Sequence, residues 1–207
     1  MSAEGKIRTE THDRIFKIII DNPAKKNAFS PAMMEQLSDA LTELHNNDSY
    51  WVGVICAEGK DFTAGLDMPK FFGPTAEKRN FREGNVDAFG LQKRCRKPIV
   101  TAVQGIVFTI GIELMLAGDI VVAADDSRFC QMESKRGIAP LGGAHFRFLS
   151  RTGWATRCII CSCAMNSRRH APARSGWFRR WCRRASRSSA RWRSQPSLHA
   201  MRRSAFR

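Results

Sequence analysis

Ile99-Val100-Thr101-Ala102-Val103-Gln104-Gly105, then Gly111-Ile112-Glu113-Leu114-Met115-Leu116-Ala117-Gly118-Asp119, then Ile120-Val121-Val122-Ala123-Ala124 is the stretch that decides the fold. Two short apolar runs flank a segment that opens on glycine and reads as a helix. Phe129-Cys130-Gln131-Met132-Glu133 follows, and after it the glycine-rich Gly137-Ile138-Ala139-Pro140-Leu141-Gly142-Gly143. Glu113 and Glu133 thus stand in sequence that otherwise reads as buried. An unpaired buried carboxylate is costly, so two of them call for a reason.

The segments upstream give the same layering. Arg14-Ile15-Phe16-Lys17-Ile18-Ile19-Ile20-Asp21 is rich in strand formers and ends at Asn22-Pro23, a turn signal. Ser30-Pro31 marks a helix start, with serine as cap and proline in the first turn. Met33, Leu37, Leu41 and Leu44 then recur at helical spacing, and the helix should stop near Asn46-Asn47. Trp51-Val52-Gly53-Val54-Ile55-Cys56-Ala57 is a continuously apolar run, as in a strand covered on both faces. Strand, helix, strand in succession predicts an α/β fold. Thr75 to Arg96 reads as one or two helices with Phe81, Val86, Phe89 and Leu91 on the apolar side. Between strand and helix, Glu58 to Met68 is a loop whose backbone N–H groups are free to meet an anion; an ordinary glycine turn is the plainer reading.

Composition divides the chain at residue 153. The net charge of +15 suggests a polyanion partner until it is located. Residues 154–207 hold 14 arginines and no Lys, Asp or Glu; residues 1–153 hold the other 20 basic residues against all 19 acidic ones. The tail also carries four of the five Trp and four of the seven Cys. No ordinary globular domain has this composition. Read one base earlier, permitted codons for residues 155–167 encode Gly-Asn-Ala-Met-Tyr-His-Leu-Leu-Leu-Cys-Asp-Glu-Phe, a sensible apolar helix. The expectation is therefore a core over 1–153 and a non-native, disordered tail over 154–207 that arose by a frameshift near Gly153-Trp154. Polyanion binding through the arginines is the alternative from a different class of function, nonspecific and salt-dependent. Cys56, Cys95 and Cys130 lack metal-ligand spacing, and the thiols are expected to be free in a cytoplasmic setting. No leader pattern and no membrane-spanning run is seen.

Several motifs in one order carry a resemblance: Asn22-Pro23-Ala24-Lys25-Lys26-Asn27-Ala28-Phe29, Phe62-Thr63-Ala64-Gly65-Leu66-Asp67-Met68, Lys97-Pro98 through Gly105, Gly111 through Asp119, and Phe129 to Gly143. Over residues 7 to 153 the chain resembles the crotonase superfamily, and within it the enoyl-CoA hydratases. The resemblance implies repeated ββα units forming two roughly perpendicular sheets, with helices around them. It implies a C-terminal helical region for trimers or dimers of trimers, which the tail replaces here. The implied ligand is an acyl-CoA thioester, with coenzyme A as part of the substrate and no metal or separate cofactor. The loop Ala64, Gly65, Leu66, Asp67, Met68 would lie near the adenine, and Lys25, Lys26 and Lys70 would be candidates for its phosphates. Ala28, Gly111, Pro140 and Gly142 complete the implied binding set.

The resemblance implies an oxyanion hole formed by the backbone N–H groups of Leu66 and Ile110. Thr109-Ile110-Gly111 stands where hydratases commonly have a glycine run, and isoleucine resists positive φ. Glu113 falls in a first helical turn, where the dipole favours its ionised form. Glu113 and Glu133, 20 residues apart, match the family's two catalytic glutamates. Hydration needs a base for water and an acid for Cα, and carboxyls in different protonation states can supply both. Glu113 is expected to activate water and Glu133 to protonate Cα, with Asp119 structural. The local alternatives are a solvated Glu113 and a Glu133 paired with Lys135 or Arg136. Another reaction on the same scaffold (isomerase, thioesterase, decarboxylase or dehalogenase) and an inactive truncated homologue are the remaining alternatives.

Overall fold

The computed structural model describes residues 4–72, 74, 76, 82–152, 167–168 and 182–185. Strand β1 (Lys6–His12) pairs antiparallel with β2 (Ile15–Asp21), in a register that sets Ile7 against Ile20 and Thr11 against Phe16. Sequence patterning does not foresee β1, because Lys6-Ile7-Arg8-Thr9-Glu10-Thr11-His12 has one apolar residue, Ile7, and no fully buried one. It is an edge strand, where such composition guards against unwanted pairing.

Helix α1 (Pro31–Asn46) starts as its sequence requires: the Ser30 hydroxyl accepts the Met33 N–H at 3.2 Å, and Pro31 opens the first turn. Met33, Leu37, Leu41 and Leu44 are buried along one face. The chain returns as β3 (Val52–Ala57), parallel to β2. Helix α2 (Met68–Phe72) is a single turn.

From here one pattern repeats. β4 (Ile99–Val103) joins the large sheet beside β3, β5 (Ile106–Phe108) starts a small second sheet, and α3 (Ile110–Ala117) follows. Then β6 (Ile120–Ala124) pairs parallel with β4, and β7 (Arg128–Cys130) pairs parallel with β5. A 3-10 turn (Glu133–Arg136) and α4 (Ala144–Thr152) close the second round. A parallel bridge between Thr63 and Val107 makes the loop after β3 a rudimentary third member of the small sheet. Two short strands come from the tail: β8 (Ser167–Arg168) beside β7, and β9 (Cys182–Ala185) beside β6. The large sheet runs β1-β2-β3-β4-β6-β9 and the small one β5-β7-β8. The rest of residues 153–207, on which the non-native reading falls, lies outside the described residues.

The expected helix over Thr75 to Arg96 is not found in residues 82–96, which form turns and bends. Asp87 explains why: its carboxylate accepts the N–H groups of Phe89, Leu91 and Gln92, folding the chain back on itself. Val86 is buried all the same, through a turn rather than a helical face. Phe81 lies outside the described residues. Asp119 is structural as expected, accepting the Ile99 N–H at 2.8 Å and Arg94 at 2.5 Å.

The loops are fastened by one fully buried side chain. Asn27 has φ 54°, a region asparagine tolerates better than most residues. Its Oδ1 accepts the Asn22 N–H at 2.7 Å, and its Nδ2 donates to the Glu58 and Asp61 carbonyls at 2.8 and 2.7 Å. Asn27→Ala strands one buried N–H and two carbonyls, each loss worth about 1 kcal/mol or more. Urea denaturation should show a loss of about 2–4 kcal/mol. A loss below about 0.5 kcal/mol would mean that the loops do not depend on this side chain.

Candidate active site

Two loops run side by side at the C-terminal ends of β3 and β5. Phe62 and Thr63 N–H groups donate to the Ile106 carbonyl, and Phe108 N–H donates to the Thr63 carbonyl at 3.0 Å. On the other flank, Phe29 N–H donates to the Gly65 carbonyl and Asp67 N–H to the Phe29 carbonyl. This ladder skips the Leu66 N–H, which finds no acceptor among the described residues. Ile110 opens α3, so its N–H has no intrahelical acceptor, and it too finds none among the described residues. The loops touch at Gly65, whose φ is +115°: a Cβ there would lie 2.4 Å from Thr109 Oγ1. Only glycine fits that approach.

The strain expected at Ile110 falls one residue earlier. Ile110 is helical, and Thr109 has φ 50° and ψ −115°. Thr109 N–H donates to the Cys130 carbonyl at 3.0 Å, which ties the turn to β7. Its own carbonyl accepts Ile112 and Glu113 N–H groups.

Glu113 is buried in the first turn of α3, at 2% exposure. Its Oε1 accepts the Ala144 N–H at 3.1 Å, and the Gly142 N–H also stabilises it. Burial nevertheless lifts its pKa to about 7, and the field of Glu133 adds to the rise. The helix dipole favours the ionised form of Glu113, but desolvation outweighs it. Gly142 is packed onto this carboxyl so closely that a Cβ would stand 2.6 Å from Glu113 Oε2. Arg147, from α4, donates to the Gly142 carbonyl at 2.8 Å and to the Phe89 carbonyl. It thereby fixes the glycine turn that serves Glu113.

Glu133 opens the 3-10 turn after β7 and is also buried. It forms no ion pair among the described residues, with Lys135, Arg136 or any other cation. Its Oε2 has no hydrogen-bond partner there, and burial raises its pKa. The Gln131 amide lies near enough to favour ionisation, yet neither its Oε1 nor its Nε2 completes a hydrogen bond among the described residues. Sequence reasoning missed Gln131, Thr109, Ala144 and Arg147 as neighbours of the site. Two had a signal: Thr109 by standing where a glycine run is expected, and Gln131 as a polar side chain two residues before a buried carboxylate, just after a strand that reads as core.

The remaining predicted residues gather beside the first loop. Ala64 N–H donates to the Lys26 carbonyl at 2.9 Å, and Asn22 Nδ2 to the Ala28 carbonyl at 2.8 Å. Lys25 pairs with Asp67 at 2.9 Å, and Lys70 with Glu4 at 3.0 Å. Lys26 is exposed, Met68 opens α2, and Gly111 is buried in the first turn of α3. Pro140, half-buried, offers its carbonyl to His145 Nδ1 at 3.1 Å. Two buried carboxyls and two free N–H groups on adjoining loops are a constellation for acid–base work beside a polarised carbonyl.

Comparison with known proteins gives the family. Residues 10–169 match the family model described as enoyl-CoA hydratase/isomerase, and the chain belongs to that family. It is 31% identical over 126 residues to a probable peroxisomal enoyl-CoA hydratase of Arabidopsis thaliana, covering 61% of this chain and 47% of the relative. It is 29% identical over 140 residues to the hydroxycinnamoyl-CoA hydratase-lyase of Pseudomonas fluorescens, covering 65% of this chain and 51% of the relative. The crystal structure of an enoyl-CoA hydratase from Mycobacterium tuberculosis H37Rv superposes with a TM-score of 0.79 at 28% identity, over 98% of this chain and 75% of that one. The chain spans about half the length of the curated relatives it matches.

The Glu113 environment sets a pH dependence of stability. The folded-state pKa of about 7 lies above the ordinary 4.5. The group's contribution is therefore fully present below pH 4.5 and is lost as pH rises through 7. The loss should reach about 3 kcal/mol by pH 8. Glu113→Gln, which cannot titrate, should lack this component when urea midpoints are compared at pH 5 and pH 8. Parallel pH dependences in the two proteins would contradict it.

Proposed function

We propose that this chain is a hydro-lyase that adds water reversibly across the double bond of a 2-trans-enoyl-CoA thioester. The observation that carries the reading is the pair of buried carboxyls with raised pKa values, Glu113 and Glu133, beside two unengaged backbone N–H groups. The Leu66 and Ile110 N–H groups receive the thioester oxygen and stabilise the enolate that forms when water adds. Glu113, titrating near 7, holds the water and takes its proton; the Ala144 and Gly142 N–H groups keep its carboxylate oriented. Glu133, whose burial favours the neutral acid, delivers the proton to Cα. In the reverse direction the two exchange protonation states.

The ligand reading follows from the first loop. Lys25 pairs with Asp67 of the Ala64–Met68 loop, the Lys26 carbonyl holds the Ala64 N–H and Lys70 follows two residues after Met68, so in this reading the coenzyme A moiety lies along that loop with these lysines as partners for its phosphates. The chemistry needs no metal and no redox group. A cytoplasmic enzyme of fatty acid β-oxidation or related acyl-CoA breakdown fits the family, whose homotrimers or dimers of trimers are built by the C-terminal helical region that residues 154–207 replace here. No helix among the described residues is long and apolar enough to cross a membrane.

Loss of the enoyl absorbance of crotonyl-CoA tests the reading directly, because adding water across the double bond ends its conjugation with the thioester carbonyl. Glu113→Gln and Glu133→Gln should each lower kcat by about 10²- to 10⁴-fold. For the wild type, kcat/KM should rise with pH through about 7 as Glu113 ionises. Turnover indifferent to both substitutions would refute the assignment. Isomerisation of a 3-enoyl-CoA without hydration would favour the isomerase alternative.

A further inference from the structure

Thr109 is the only β-branched residue among the described positions with positive φ; the other non-glycine ones are Asp13, Lys26 and Asn27. Its φ of 50° and ψ of −115° match the first central position of a type II′ turn, about +60° and −120°. Glycine dominates that position for a geometric reason. On a tetrahedral α-carbon the Cβ is offset by about 120° from the amide nitrogen, so at this ψ it nearly eclipses the next peptide nitrogen. That nitrogen belongs to Ile110. The threonine side chain is therefore held alongside the Ile110 N–H.

Its hydroxyl is placed by the neighbouring loop. A Cβ built on Gly65 would come within 2.4 Å of Thr109 Oγ1. The hydroxyl thus stands over Gly65, one residue before the Leu66 N–H. It caps no helix: no side-chain cap hydrogen bond is formed at α3. It has no acceptor among the described residues, and Thr109 is only partly buried. A strained backbone, a glycine shaped to admit the side chain and an unspent donor meet at one point.

We infer that the Thr109 hydroxyl is a third hydrogen-bond donor to the thioester oxygen, placed between the backbone N–H groups of Leu66 and Ile110. The inference rests on the acyl-CoA reading of the site. The hydroxyl donates a hydrogen bond and transfers no proton, so it stays protonated through the reaction. As charge moves from the double bond to the oxygen, the bond strengthens, and its effect falls on kcat more than on KM.

The test uses the full chain and a chromophoric thioester, cinnamoyl-CoA, whose absorbance shifts to longer wavelength when its carbonyl is polarised. Thr109→Val removes the donor and keeps the shape; Thr109→Ser keeps the donor; Thr109→Gly removes both the donor and the strain. The wild type and Thr109→Ser should give the full red shift, and Thr109→Val a smaller one. Crotonyl-CoA hydration by Thr109→Val should fall about 10- to 100-fold in kcat with KM little changed. Thr109→Gly should melt higher, because glycine relieves the turn, yet be slower. A red shift and kcat in Thr109→Val equal to the wild type would overturn the inference. So would faster turnover in Thr109→Gly, which would mean that the side chain obstructs the site. A wild type that shifts cinnamoyl-CoA without hydrating crotonyl-CoA refutes hydration alone, and the shift in Thr109→Val still decides the role of Thr109. A wild type that leaves the cinnamoyl-CoA spectrum unchanged at saturation overturns both readings.

Discussion

Glu113 is buried with backbone N–H groups as its close partners, and that constraint shapes everything near it. A carboxylate in such a place needs donors at fixed positions. They come from the turn before α4, at Gly142 and Ala144. The turn can approach closely only because residue 142 has no side chain. It is held in turn by Arg147, which also reaches the Phe89 carbonyl. The segment around Phe89, the start of α4 and the start of α3 thus converge on one carboxyl group.

Magnitudes decide which protonation state this produces. The positive end of a helix is worth roughly 0.3–1 kcal/mol to a nearby carboxylate, and about 2 at most. A rise from 4.5 to about 7 corresponds to about 3 kcal/mol in the other direction. Burial wins, although the dipole and two N–H groups oppose it. The group is left titrating near neutrality, where a small change in surroundings moves its proton. Glu133 is raised by burial as well, with an oxygen left unpartnered. Two such groups can hold different protonation states and exchange them, as the proposed reversible addition requires.

Most of the large sheet and its helices were legible in sequence. The continuous apolar runs became β2, β3, β4 and β6, and the spacing of Met33, Leu37, Leu41 and Leu44 became α1. Two elements were not legible, for physical reasons. β1 owes its place to pairing with β2 and contributes only the partly buried Ile7 to the core. The turns after Arg82 are made by one Asp87 carboxylate gathering three N–H groups, a local choice that apolar spacing does not record. The two carboxylates stood out because they interrupt apolar sequence. Their neighbours Ala144 and Arg147 did not, since each is an ordinary residue in an ordinary position until the turn at Gly142 brings it in.

Thr109 shows why the loop geometry could not be read locally. Isoleucine after threonine suggests strain at Ile110, yet the chain puts the unfavourable φ on Thr109. Such a conformation costs on the order of 1–3 kcal/mol and persists only where the surroundings enforce it. Three backbone hydrogen bonds do so here: Thr109 N–H to Cys130, and the Thr109 carbonyl receiving Ile112 and Glu113. The first ties the turn to the last residue of β7, immediately before the Gln131–Glu133 segment. The last two begin the helix that carries Glu113. Relaxing Thr109 would therefore shift the Ile110 N–H and the start of the helix that carries Glu113, and loosen the tie to the strand that leads to Glu133.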